Sequence, residues 1–181
     1  ASGFAGQLDG EGTADGAFAA NLRGGFDGLD LRGFGRLDLS TLLRLSRPAK
    51  GATSLGGSVR AVMRRLDIGF LQSLAEGLPV ATSDVALGAG GRIDLRNLRL
   101  VAPGLRLAGH GYRERNGRVH IEGSGEHRGY GPVRLTLAGD IARPQVDLLL
   151  ARPLPALGLA NVRAQLMPDA QGYAVHAEGG S

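Results

Sequence analysis

Apolar residues recur at every second position through much of this chain, and glycines continue the same phase. Leu105, Leu107, Gly109 and Gly111 form one run, Val119, Ile121, Gly123 and Gly125 a second, and Val133, Leu135, Leu137 and Gly139 a third. The residues between them are polar or small: Arg106, His110, Arg118, His120, Glu122, Arg134 and Thr136. A period of two puts alternate side chains on opposite sides of an extended strand, one side apolar and one wet. The pattern therefore predicts a long stack of similar strands. Its apolar face needs a guest, a partner, or closure on itself.

From residue 83 onward the spacing predicts strands over 83–88, 92–96, 98–102, 104–113, 117–125, 131–140, 144–151, 158–167 and 171–178. The phase of this stretch changes once: Ile93 and Leu95 are odd, Leu98 and Leu100 even, which predicts a turn or β-bulge at Arg96–Leu98. Links such as Glu114–Gly117, Ala142–Pro144 and Pro168–Gly172 are short, so neighbouring strands run antiparallel in a meander. Residues 1–82 read differently. They carry short strand signals at 18–22, 29–31 and 37–39, and one helical turn over Ser40–Leu45 ended by Pro48. A loop over 49–57 and a strand over 58–65 follow. An amphipathic helix is expected over Ile68–Glu76, capped by Asp67 and stopped by Gly77, with Pro79 beyond. The two stretches, 1–82 and 83–181, read as one continuous domain. The pattern is already running at Ala1 and still running at Ser181, which suggests a fragment of a longer protein.

The expected class is mainly β with one or two short helices. A dozen strands at ~4.8 Å spacing extend on the order of 50–60 Å, whereas a ten-residue helix is only ~15 Å long. One helix cannot cover that face. The sheet can curl into a trough, close into a barrel, or fold over as a sandwich. Glycines in phase with the inward aliphatics (Gly109, Gly111, Gly123, Gly125, Gly139) favour curling, because side chains must shrink where an inner face narrows.

Chemistry-bearing constellations are thin. The chain has no cysteine, which excludes disulfides and thiolate sites. His110, His120, His127 and His176 lack metal-ligand spacing and are expected exposed or at an edge. Gly123–Gly125 is not a nucleophile elbow, Gly88–Ile93 lacks the third glycine of a dinucleotide fingerprint, and Lys50 follows Ala49 in no P-loop. The expected protein is not an enzyme and needs no metal or cofactor. Net charge is +4, but arginine alternates with Asp and Glu, and aromatics make up only 4%. Cross-strand Arg–Asp pairs on a solvated face explain this better than nucleic-acid binding. No run of apolar residues is long enough for a membrane-spanning helix, so this stretch carries no anchor.

Two stretches carry a family resemblance. Asn97 to Gly111, with Leu105-Arg106-Leu107-Ala108-Gly109-His110-Gly111, resembles the AsmA-like superfamily, whose strands close on a leucine–x–glycine–x–glycine pattern. Gly131 to Leu148 is similar to TamB-like members: a strand ends in Leu137-Ala138-Gly139, and Arg143-Pro144 opens the next. The resemblance covers residues 83–181. It implies a periplasmic location, a parent anchored in the bacterial inner membrane, and a U-shaped β-trough with an apolar interior. It further implies an outer-membrane barrel partner of the TamA type, and roles in moving phospholipid or assisting outer-membrane protein assembly.

The resulting expectation is a groove for phospholipid acyl chains, bridging inner and outer membrane. Its lining is Ile93, Leu95, Leu105, Leu107, Val119, Ile121, Val133, Leu135, Leu137, Val146, Leu148 and Leu150. Each buried methylene contributes ~0.8 kcal/mol without a specific contact. Leu135→Arg is expected to block passage without unfolding the sheet. One rival is a chaperone-like module whose edge strands pair with nascent outer-membrane proteins. Others are a surface solenoid with a dry interior and a transmembrane barrel, the last lacking aromatic girdles.

Overall fold

The computed structural model describes residues 3–31, 33–140, 143–152, 160–170 and 172–180. They form a single antiparallel sheet of twelve strands in sequence order, a meander that does not close into a barrel. The strands are β1 Gly3–Gly12, β2 Phe18–Leu31, β3 Gly35–Arg47, β4 Ser54–Leu66, β5 Val80–Leu87 and β6 Ile93–Val101. They continue as β7 Leu105–Arg113, β8 Arg118–His127, β9 Gly131–Asp140, β10 Arg143–Leu150, β11 Ala160–Asp169 and β12 Gly172–Gly180. Helix α1, Gly69–Ala75, lies between β4 and β5, and a 3-10 turn at Ala89–Gly91 joins β5 to β6. Among the described residues no helix is long and apolar enough to cross a membrane. Residues 158 and 159 of the expected strand at 158–167, the link positions Ala142 and Gln171, and the terminal Ala1, Ser2 and Ser181 lie outside the described residues.

The register places the predicted aliphatics on one face. Leu107 pairs with Leu100 and Gly125, Val133 with Gly125 and Leu150, and Leu148 with Leu135 and Ala164. The same face continues where a helical turn was expected. Ser40–Leu45 is the interior of β3, with Leu43 opposite Leu22 and Gly57, and Leu45 opposite Ala20 and Leu55. Pairing on both sides decides the conformation here, and the adjacent Leu42 simply points to the wet face, 48% exposed. The three short strand signals of the first forty residues merge into two long strands for the same reason.

Bulges keep the apolar face continuous. The expected irregularity at Arg96–Leu98 is a bulge inside one strand, β6, not a break between two strands. Asn97 supplies the extra residue at φ 51, and Leu95 and Leu98 therefore share a side. The phase also changes elsewhere. A second shift falls in β11 between Ala160 and Arg163, with Asn161 at φ 52, and two more fall in β2 and β4. In β2 the extra residue is Gly28 at φ 65, a left-handed conformation that glycine and asparagine adopt most readily.

Close backbone approach accounts for most of the in-phase glycines. A Cβ on Gly109, Gly111 or Gly125 would run into the carbonyl oxygens of Glu122, His120 and Arg106 on the neighbouring strand. Gly139 differs from the expectation: nothing lies within 4 Å of its Cβ position, and its φ of 100 is what requires glycine.

Helix α1 docks on the apolar face and makes the core. Leu74 and Ala75 pack with Ala102, Leu105, Leu107, Val133, Leu148, Leu150 and Ala164. Ile68 packs with Val146 and Leu166, joined by Phe34 from the β2–β3 turn, and Phe70 and Leu135 touch both groups. The ends of the helix depart from expectation. Asp67 is not its cap; that carboxylate takes the Arg65 Nε–H at 2.6 Å, and Ile68 begins the helix with no side-chain cap. The left-handed stop is Glu76, at φ 54, one residue before Gly77.

Candidate functional site

The apolar face divides into a covered part and an open part. Of the twelve predicted lining residues, Leu105, Leu107, Val119, Val133, Val146, Leu148 and Leu150 are buried, while Ile93, Leu95, Ile121, Leu135 and Leu137 are half-buried. Leu105, Leu107, Val133, Leu148 and Leu150 lie in one packed group with α1, and Val146 in the other. The chain's own helix occupies this stretch of the face. Leu135 touches both groups. A charged residue there is expected to loosen α1, so Leu135→Arg would act on the helix anchor as well as on the apolar face.

The more open part lies on β1–β4 and the end of β5 at Leu87, although Leu66 on β4 and Ser83 and Val85 on β5 are buried. From the chain before α1, the packed groups recruit only Phe34 and Ile68 among the described residues. Leu22, Leu39, Leu43, Leu45, Leu55 and Val59 share the inner face by register and are half-buried. Leu8 is 69% exposed, Leu87 40% and Phe26 38%. At the opposite edge Val175 is 51% exposed. Sequence reading missed the β2–β4 part of the apolar face. The usable signal was the same two-residue period, which runs on through the bulges at Gly28 and Arg64 once each is allowed to shift the phase.

His127 was expected to be exposed or at an edge, and it is buried at the centre of the helix anchor. It closes the series Val119, Ile121, Gly123, Gly125 in phase, so it points inward with them. Its Nε2–H donates to the Leu74 carbonyl at 2.8 Å, and its Nδ1 accepts from the amides of Gly129 and Tyr130 at 3.0 and 3.1 Å. The ring stacks on Tyr130 with centroids 4.2 Å apart. The Gly104 amide also donates to the Ala75 carbonyl at 2.9 Å. The carbonyls of Leu74 and Ala75, at the C-terminal end of the helix, are thus satisfied by β8 and the β6–β7 turn.

The wet face carries ion pairs across and along strands. Arg64 on β4 meets Asp38 on β3 at 2.6 Å, and the Arg163 Nε–H on β11 donates to both oxygens of Asp147 on β10 at 3.1 and 3.0 Å. Arg92 and Asp94, on one strand side, pair at 2.7 Å. Hydrogen bonding from Arg163 holds the Asp147 carboxyl below its usual range, against a smaller opposing effect of burial. On the apolar side, burial pushes the Tyr173 hydroxyl up, and its oxygen lacks a partner. Among the described residues no three His, Asp or Glu side chains gather as metal ligands would.

Compared with protein-family models, with curated proteins and with solved structures, the chain matches none.

Proposed function

We propose that this sheet carries phospholipid acyl chains along its apolar face, with α1 seated as a plug over one end of the groove. The supporting observation is the aliphatic surface of β1–β4, half-buried to exposed over Leu8, Leu22, Phe26, Leu43 and Leu45, on which α1 does not pack among the described residues. Among the described residues, an open sheet of twelve strands has one seven-residue helix on its inner side, and that helix packs on β6–β11. Exposed, smooth hydrocarbon surface of this kind marks a site for another apolar body. The lining carries Leu, Val, Ala and Gly with few polar atoms, which suits alkyl chains that slide more than they dock. The resemblance of residues 83–181 to TamB-like proteins supports a periplasmic bridge between two membranes, with a TamA-like barrel as a partner of the parent.

A photoreactive residue placed at Leu22 or Leu43 is expected to yield phospholipid adducts in cells, and one at Leu148, beneath α1, is not. Absence of adducts at both open positions, in protein with full β-sheet circular dichroism, overturns the reading. A second reading rests on the sheet edges. Among the described residues β1 and β12 are each paired on one side only, which leaves backbone groups available for strand addition by nascent outer-membrane proteins. Peptide adducts at β1 or β12, with no lipid at Leu22 or Leu43, would favour it.

A further inference from the structure

The wet face holds a cluster of arginines that the ion-pair pattern elsewhere does not neutralise. Cross-strand register sets Arg23, Leu42, Ser58 and Asp84 in one row, and Ser40, Arg60, Thr82 and Arg99 in the next. Arg23, Arg60 and Arg99 alternate with the inward Leu22, Val59 and Leu100, so their side chains leave the sheet on the side opposite α1. They line a solvent-open depression of about 780 Å³ that spans β2 to β6.

Elsewhere on this face arginines find carboxylates, as Arg64 does in Asp38 and Arg163 in Asp147. Among the described residues none of Arg23, Arg60 and Arg99 has such a partner. Among the described residues Asp84 is the one carboxylate in the depression, and the Asn97 amide holds it at 2.7 Å. The bulge in β6 puts Asn97 there. An excess of positive charge therefore faces a concave surface, where the field is focused.

We propose that this depression binds a phosphate-bearing anion through Arg23, Arg60 and Arg99. Guanidinium groups match phosphate oxygens in a two-pronged geometry, and the Ser58 and Thr82 hydroxyls between them add neutral donors. Among the described residues no aromatic ring lines the depression, so none there stacks on a nucleobase, and the phosphate itself is the recognised group. The phosphate can belong to a free solute or to lipid headgroups at a membrane surface. A lipid whose tails lie on the inner face cannot reach it through the sheet, so this site stands or falls independently of acyl-chain transport.

The test is calorimetric titration of the chain with pyrophosphate, alongside flotation with phosphatidylcholine vesicles with and without phosphatidylglycerol. Arg60→Gln and Arg99→Gln are expected each to weaken binding by about tenfold, the loss of one charge-assisted contact. Arg118→Gln, on the same face outside the depression, is expected to leave it unchanged. Capture by phosphatidylglycerol vesicles, lost in the same two variants, assigns the phosphate to headgroups; pyrophosphate binding without vesicle capture assigns it to a solute. No saturable binding of either probe, or an equal loss in Arg118→Gln, overturns the proposal.

Discussion

Leu148 and Leu8 have the same side chain and opposite surroundings, 0% and 69% exposed. Leu148→Ala is expected to lower stability by about 2–5 kcal/mol in urea unfolding, because the cavity beneath α1 adds to the lost transfer energy. Leu8→Ala should stay within about 0.5 kcal/mol, since that methylated surface is in water already. His127→Ala leaves the Leu74 carbonyl and the amides of Gly129 and Tyr130 without their partner. It should cost about 1–3 kcal/mol and speed hydrogen exchange in α1 ahead of the strands. Asp147 ties residue chemistry to pH. Its carboxyl titrates lower in the folded chain than in the unfolded one, so its stabilising effect is present above the unfolded value and disappears as pH falls through the folded value. Wild-type stability should drop below about pH 4, and Asp147→Asn should show a shallower drop over the same range. Melting curves at stepped pH read both.

Among the elements, α1 is the one that decides how much of the inner face is available. Phe70 touches both packed groups, so Phe70→Ala should loosen the helix while the sheet persists. The expected result is greater binding of an apolar fluorescent dye with unchanged far-ultraviolet circular dichroism. The meander and the helix were both legible in the sequence, because a period of two and a short 3.6-residue period stand out from their surroundings. The bulge at Asn97 was legible too, since aliphatics on both sides of it report the change of phase. The bulge at Arg64 was not, because Met63 and Leu66 are separated by two arginines and read as a strand end. Leu42, Leu43 and Leu45 imitate a helical turn locally, and only their partners on β2 and β4 make them a strand. The apolar face was legible over much of β6–β10, with Leu98 and Leu100 on β6 left out of the predicted set. Its occupation by α1 was not, because docking depends on which way the β4–β5 connection folds back, and no local pattern encodes that direction.

Across the molecule, among the described residues, the open meander has β1 and β12 at its edges, and β12 presents Val175 half in water. Val175→Lys is expected to reduce self-association in sedimentation velocity, since a charge on an edge strand discourages further pairing. Every strand pairs with its sequence neighbours, yet the helix breaks this locality. Ile68 is made before β5, while Val146 and Leu166, which bury it, belong to β10 and β11. On the ribosome β1–β4 can zip together as they emerge, but Ile68 and Phe70 must wait, greasy and unclaimed, until β10 and β11 have been made. A nascent chain stopped after β9 thus offers chaperones a handle that the finished protein withdraws.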